Sequence, residues 1–100
     1  MIYHRVKFKS ALSPDALWEV GHRREPEYRR TPGLMQKFYI DMGNDTYCGC
    51  MIWESREALA AFQQTELARS VPEAYKVVGA PEVEIGEVEF LLRESVLVAA

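Results

Sequence analysis

The sequence predicts an α+β domain whose strands and helices alternate in the order βαββαβ, the ferredoxin-like order, with both helices on one face of an antiparallel sheet. Two observations point there. Residues 33–62 read as strand, tight turn, strand and capped helix, and both ends of the chain carry further period-two alternation separated from this centre by helical stretches. A third observation concerns the central strands, whose large apolar residues fall on both faces. A small sheet with helices on one side should show water a polar second side, so this pattern asks for a second cover, expected to be another copy of the chain.

The first strand is expected over residues 2–9, where Ile2, His4, Val6 and Phe8 alternate with Tyr3, Arg5, Lys7 and Lys9. Ser13, Pro14 and Asp15 supply a hydroxyl cap, a proline suited to the first helical position and an acid for the first turn. The helix that follows carries a stripe of Leu17, Val20, Gly21 and Arg24 with Trp18 beside it. Pro26 predicts a kink or an end near Glu25, with a resumption through Tyr28 to Arg30 before Thr31, Pro32 and Gly33.

The second strand is expected over residues 34–41, with Leu34, Gln36, Phe38 and Ile40 opposed to Met35, Lys37, Tyr39 and Asp41. Met42, Gly43, Asn44 and Asp45 form the cluster of a hairpin loop. The third strand, residues 46–53, opposes Cys48, Cys50 and Ile52 to Tyr47, Gly49, Met51 and Trp53. Ser55 caps a second helix with Ala58, Leu59, Ala61, Phe62 and Leu67 on its apolar side. A break at residues 70–72, a short helix over 72–78 ended by Gly79, and a last strand over 83–92 with a bulge at Gly86 complete the reading. Residues 95–100 are expected to form a short tail or an arm reaching a partner.

One domain spanning residues 1–100 accommodates these elements around one core. The net charge of −3 is uneven: residues 1–50 carry 8 Lys/Arg against 6 Asp/Glu, and residues 51–100 carry 4 against 9. A first half at +2 is a poor footprint for nucleic acid, which needs concentrated basic surface. Pairing of the first and last strands explains the asymmetry, since Arg5, Lys7 and Lys9 then face Glu82, Glu84, Glu87 and Glu89. No apolar run approaches membrane-spanning length, and the N-terminus reads as a strand and not a signal peptide, so a cytoplasmic protein is expected. Cys48 and Cys50, two apart on a strand, match neither a redox C-x-x-C pair nor a zinc pair and read as small buried thiols. Nothing else has metal-ligand spacing, so no metal is expected.

At Gly49-x-x-x-Trp53-Glu54-Ser55-x-Glu57-Ala58, preceded by Pro32-Gly33-Leu34 and the strand Lys37-x-Tyr39, the chain resembles the mono-oxygenases of the dimeric α/β-barrel superfamily, relatives of the antibiotic biosynthesis monooxygenases. Element order extends the resemblance over nearly the whole chain, while its specific residues lie within 32–62. It implies two subunits joined sheet to sheet as a homodimer, and a pocket between sheet and helices or at the barrel mouth. The implied activity is oxygenation of a small phenolic or polycyclic aromatic molecule by O₂, with no metal, flavin or haem. Cys48-Gly49-Cys50 departs from the family's pattern, where a small residue and an aliphatic or aromatic one stand in place of the cysteines.

Such chemistry needs an electron-rich substrate anion held dry, with donors that stabilise its charge. Tyr39, Tyr47, Met51 and Trp53 would form an aromatic wall if they share the face away from the helices. Lys37 and Arg5 are candidates to hold a phenolate. Tyr39, Trp53 and Lys37 are the candidate catalytic residues, and Arg5, Tyr47, Met51, His22 and Trp18 the candidate substrate contacts, the last two lining the helical side. The same side chains would also suit a subunit interface, where Tyr, Trp, Met and Arg are enriched. His4 shares parity with Val6 and Phe8, which places it under the helices. Two other functions use the same barrel: an isomerase or cyclase that consumes no O₂, and a small-molecule-binding dimer without turnover.

Overall fold

A computed structural model describes residues 1–93. Its elements are β1 (Ile2–Ser10), α1 (Pro14–Arg29), β2 (Leu34–Gly43), β3 (Thr46–Trp53), α2 (Arg56–Gln63), α3 (Glu66–Arg69), α4 (Val71–Ala74) and β4 (Val77–Glu87). All strand pairs are antiparallel and the sheet order is β2-β3-β1-β4, so the first and last strands are neighbours as their charges require. Arg5 stands opposite Glu84 and bonds it at 2.9 Å, and Lys7 stands opposite Glu82.

Local chemistry accounts for the element ends. The Ser13 hydroxyl accepts from the Ala16 amide, Ser55 from Ala58 and Thr65 from Ala68, each satisfying an amide that the helix leaves free. Asn44 and Asp45 both adopt positive φ between the paired residues Gly43 and Thr46, which is the two-residue loop whose twist matches a hairpin. Gly33 also has positive φ, and a Cβ there would collide with the Ala58 Cβ of α2. Glycine alone lets this turn lie against the helix, where its carbonyl accepts from the Glu54 amide at 2.8 Å.

Several expectations are corrected. Helix α1 runs unbroken through Pro26 to Arg29, since a proline near the end of a helix removes only one of its last hydrogen bonds. The short fourth helix ends at Ala74, and β4 begins at Val77 and ends at Glu87, earlier at both ends than expected. The irregularity lies between Lys7 and Lys9, which pair with Glu82 and Val78, so Gly79, Ala80 and Pro81 stand against the single residue Phe8, while Gly86 pairs regularly with Tyr3. Proline has no amide for the ladder and Gly79 takes positive φ, which explains why the bulge forms there. A register shift between Leu34 and Gln36 puts Leu34 on the helical side, opposite Trp53, and away from Gln36, Phe38 and Ile40. Ala61 is exposed. Residues 95–100, expected as a tail or arm, lie outside the described residues.

The pairing also fixes the two faces of the sheet. Ile2 is opposite Trp53, His4 opposite Met51, Val6 opposite Gly49 and Phe8 opposite Tyr47, and β2 continues these rows with Lys37, Tyr39 and Asp41. This is the face beneath the helices. Its core forms two clusters, one of Ile2, Tyr28, Met51, Trp53, Leu59, Phe62 and Leu67 and one of Phe8, Leu17, Tyr47 and Tyr75. Gly49 lies in the row between Met51 and Tyr47. The aromatic wall proposed for the uncovered face is therefore beneath the helices: Tyr39, Tyr47, Met51 and Trp53 share His4's side, which the helices need for their core. The uncovered face holds Tyr3, Arg5, Lys7, Phe38, Ile40, Ile52 and the free thiols Cys48 and Cys50, both buried as expected. No helix among the described residues is long and apolar enough to cross a membrane.

Candidate active site

A cleft of about 590 Å³ opens between α1 and β2. Trp18, Gly21, His22 and Glu25 recur along α1 at the spacing of one helical face, with Tyr28 and Arg29 one turn on, and the opposite wall is the edge strand from Leu34 to Tyr39. At the mouth, Trp18 is 58% exposed and meets His22 edge to face with ring centres 5.0 Å apart. Glu25 is the carboxylate of this lining. Arg29 bonds it at 2.8 Å and, with His22 at 3.4 Å, holds it below the usual carboxylate range.

Deeper in, the Lys37 side chain runs over the space that Gly49 leaves: a Cβ built on Gly49 would lie 3.5 Å from the Lys37 Nζ. The amine rests 4.4 Å from the centre of the Tyr28 ring and 4.5 Å from that of Tyr39. Two ring faces attract a cation but cannot replace its water. Among the described residues no carboxylate lies within ion-pair distance of Lys37, so desolvation dominates and lowers its pKa from 10.5 to about 8. The nearby Arg24 charge pushes in the same direction.

Tyr39 and Tyr75 share a hydrogen bond of 3.1 Å between their hydroxyls. Burial and the neighbouring Tyr75 raise the Tyr39 pKa far above the phenolic range, so it remains a neutral donor. Arg24 closes this network from the helical side: its guanidinium donates to the Leu67 carbonyl at 2.6 Å and the Ser70 hydroxyl at 3.1 Å, and lies 5.6 Å from the Tyr75 ring centre. Helix α1 is thereby tied to α3, which holds the cleft's inner wall in place.

Of the sequence-predicted residues, the cleft brings together Trp18, His22, Lys37 and Tyr39. Met51 and Trp53 are packed in the first core cluster and Tyr47 in the second. Trp53 is 0% exposed with an indole N–H that has no partner among the described residues, and the His4 Nδ1 is likewise buried and without a partner among them. Arg5 is on the other face of the sheet, spoken for by Glu84, because its parity in β1 is opposite to that of His4. Sequence reasoning missed Tyr28, Tyr75, Gly21 and Arg24 as parts of the site. The spacing of Trp18, Gly21, His22 and Glu25 was a usable signal for one wall; nothing local links Tyr75 to Tyr39. Among the described residues no group of His, Cys, Asp and Glu could hold a metal ion.

No protein-family model matches the sequence, and no curated protein matches it. Solved structures do. SnoaB from Streptomyces nogalater, a cofactor-independent oxygenase, superposes with a TM-score of 0.74 over 93% of this chain and 97% of its own, at 14% identity. The chain has the fold of the antibiotic biosynthesis monooxygenases. A Nitrosomonas europaea protein provisionally assigned as one of them gives 0.72 over 90% of this chain and 100% of its own, at 14% identity. A second protein from that organism, of unknown function, gives 0.73 over 90% of both chains at 16% identity. At these identities the likeness establishes the fold, and chemistry has to be argued from the cleft.

Proposed function

We propose that the protein is a cofactor-independent monooxygenase of the antibiotic biosynthesis type, acting in the cytoplasm as a homodimer on a small phenolic or polycyclic aromatic substrate. The observation that carries this reading is the Lys37 amine, buried between two tyrosine rings without a carboxylate among the described residues, in a cleft of a volume that admits a fused ring system. A desolvated cation lacking a counter-ion favours a ligand that brings a negative charge, and a phenolate or enolate brings that charge on a flat ring. The fold shared with SnoaB supports the reaction class.

Oxygenation at an activated methylene, R₂CH₂ + O₂ → R₂C=O + H₂O, balances with the substrate as the source of every electron. The substrate must first lose a proton, which passes to solvent water. Lys37 stabilises the resulting anion as its ammonium, and the Tyr39–Tyr75 pair has one hydroxyl hydrogen left to donate to the ligand. Trp18 and His22 close the mouth over the ring. Trp53, sealed inside the core, supports the wall behind β2.

The test is oxygen consumption on adding anthrone-type and quinol substrates, with product mass. The reading expects O₂ uptake and a product carrying one added oxygen atom. A product of unchanged mass would identify an isomerase or cyclase, and binding without any product would identify a non-catalytic dimer.

A further inference from the structure

Gly21 occupies the middle of α1, where glycine is unfavourable relative to alanine because it gives up more backbone freedom. Two structural reasons commonly excuse such a glycine, and neither applies. Its φ is not positive, and a Cβ built on it would meet nothing closer than the Tyr39 ring carbons and the Tyr75 hydroxyl, each at the ordinary contact distance of 4.0 Å. Gly33 provides the contrast, since there both reasons hold.

What the missing side chain leaves is space inside the cleft. Gly21 lies among the lining residues, directly above the hydroxyl-bonded Tyr39–Tyr75 pair, on the wall facing Lys37. A ring whose oxygen rests on Lys37 lies across the Tyr39 ring, and its far edge comes against the α1 backbone at this position. We infer that Gly21 is a specificity-determining residue, the bare helical position that sets how large a fused aromatic ring system the cleft admits. The inference rests on the aromatic-binding reading above and adds to it a residue and a size rule.

A methyl group at position 21 fits the empty cleft, whereas a branched chain reaches into the volume that a second or third ring would fill. The experiment measures binding of phenol, 2-naphthol and 2-anthrol by calorimetry to the 100-residue chain and to its Gly21→Ala and Gly21→Leu variants. Gly21→Ala should raise the melting temperature by roughly 2 to 8 °C, and it doubles as proof that folding is intact. Gly21→Leu should keep phenol within about twofold while weakening 2-anthrol at least about tenfold, the scale of discrimination that one filled subsite gives. Equal effects of Gly21→Leu on all three ligands, or none on any, would overturn the size rule while leaving aromatic binding intact. Failure of the unaltered protein to bind any of the three would overturn the aromatic reading and the inference with it.

Discussion

Lys37 shows how one residue trades stability against a binding capacity. Its pKa falls from 10.5 to about 8 because the folded state removes water from the ammonium and returns only two ring faces. Below pH 8 both folded and unfolded chains carry the proton, so the full cost, up to about 3 kcal/mol, weighs on the fold at neutral pH. Between pH 8 and 10.5 the unfolded chain binds more protons, and stability rises with pH until the cost is gone. Lys37→Met should therefore be more stable than the unaltered protein at pH 7, with the advantage shrinking to nothing as pH approaches 10.5. Denaturant melts across that range measure it. A variant less stable at pH 7 would mean that the amine has a partner the cleft does not show. The residue's position was legible in the alternation of β2; its tyrosine neighbours were not, because Tyr28 arrives from a helix that Pro26 was expected to kink or end.

Among the elements, the turn between α1 and β2 and its contact with α2 determine how the cleft's walls meet. Gly33 allows the crossing by its positive φ and by having no Cβ to strike Ala58. Gly33→Ala combines a left-handed backbone penalty of about 1 to 2 kcal/mol with a collision between two elements that costs about 1 to 3 kcal/mol. A loss of about 2 to 5 kcal/mol in unfolding free energy is expected, and a loss under about 1 kcal/mol would show that the turn relaxes freely. Strands, helix caps and the hairpin were readable because each depends on neighbouring residues: Ser13 and Ser55 on amides three positions on, Asn44 and Asp45 on their own φ. The start of β4 was not. Val77 and Val78 continue a helix-like run in sequence, and what makes them a strand is pairing with Ser10 and Lys9, far away in the chain.

At the scale of the whole molecule, the uncovered face of the sheet divides the protein's surface into two kinds. The β1–β4 half carries the Arg5–Glu84 pair and Lys7 opposite Glu82, while the β2–β3 half carries Phe38 at 43% exposure and Ile40 at 37% over two buried thiols. A charged half and an apolar half on one face suit a second sheet better than water, which is the support for the proposed homodimer. Ile40→Asp is outside the cleft lining and should shift the protein to monomer in sedimentation at micromolar concentration, with its secondary structure unchanged. Sedimentation of the unaltered chain as a monomer would remove the dimer. The sequence expected this second cover for a partly mistaken reason: it counted Tyr39, Tyr47, Met51 and Trp53 on the exposed side, when the pairing of His4 with Met51 and of Tyr39 with Gly49 puts them beneath the helices.

The claim on which the rest depends is that the cleft holds a desolvated amine waiting for an anion. Nitrogen-15 NMR of lysine-labelled protein, titrated with and without 2-naphthol, reads that amine directly. The account predicts a Lys37 resonance titrating near pH 8 in the free protein and moving to higher pH when the naphthol binds, because the bound oxyanion replaces the missing counter-charge. A Lys37 that titrates at the ordinary lysine value, or that does not respond to the ligand, would contradict it.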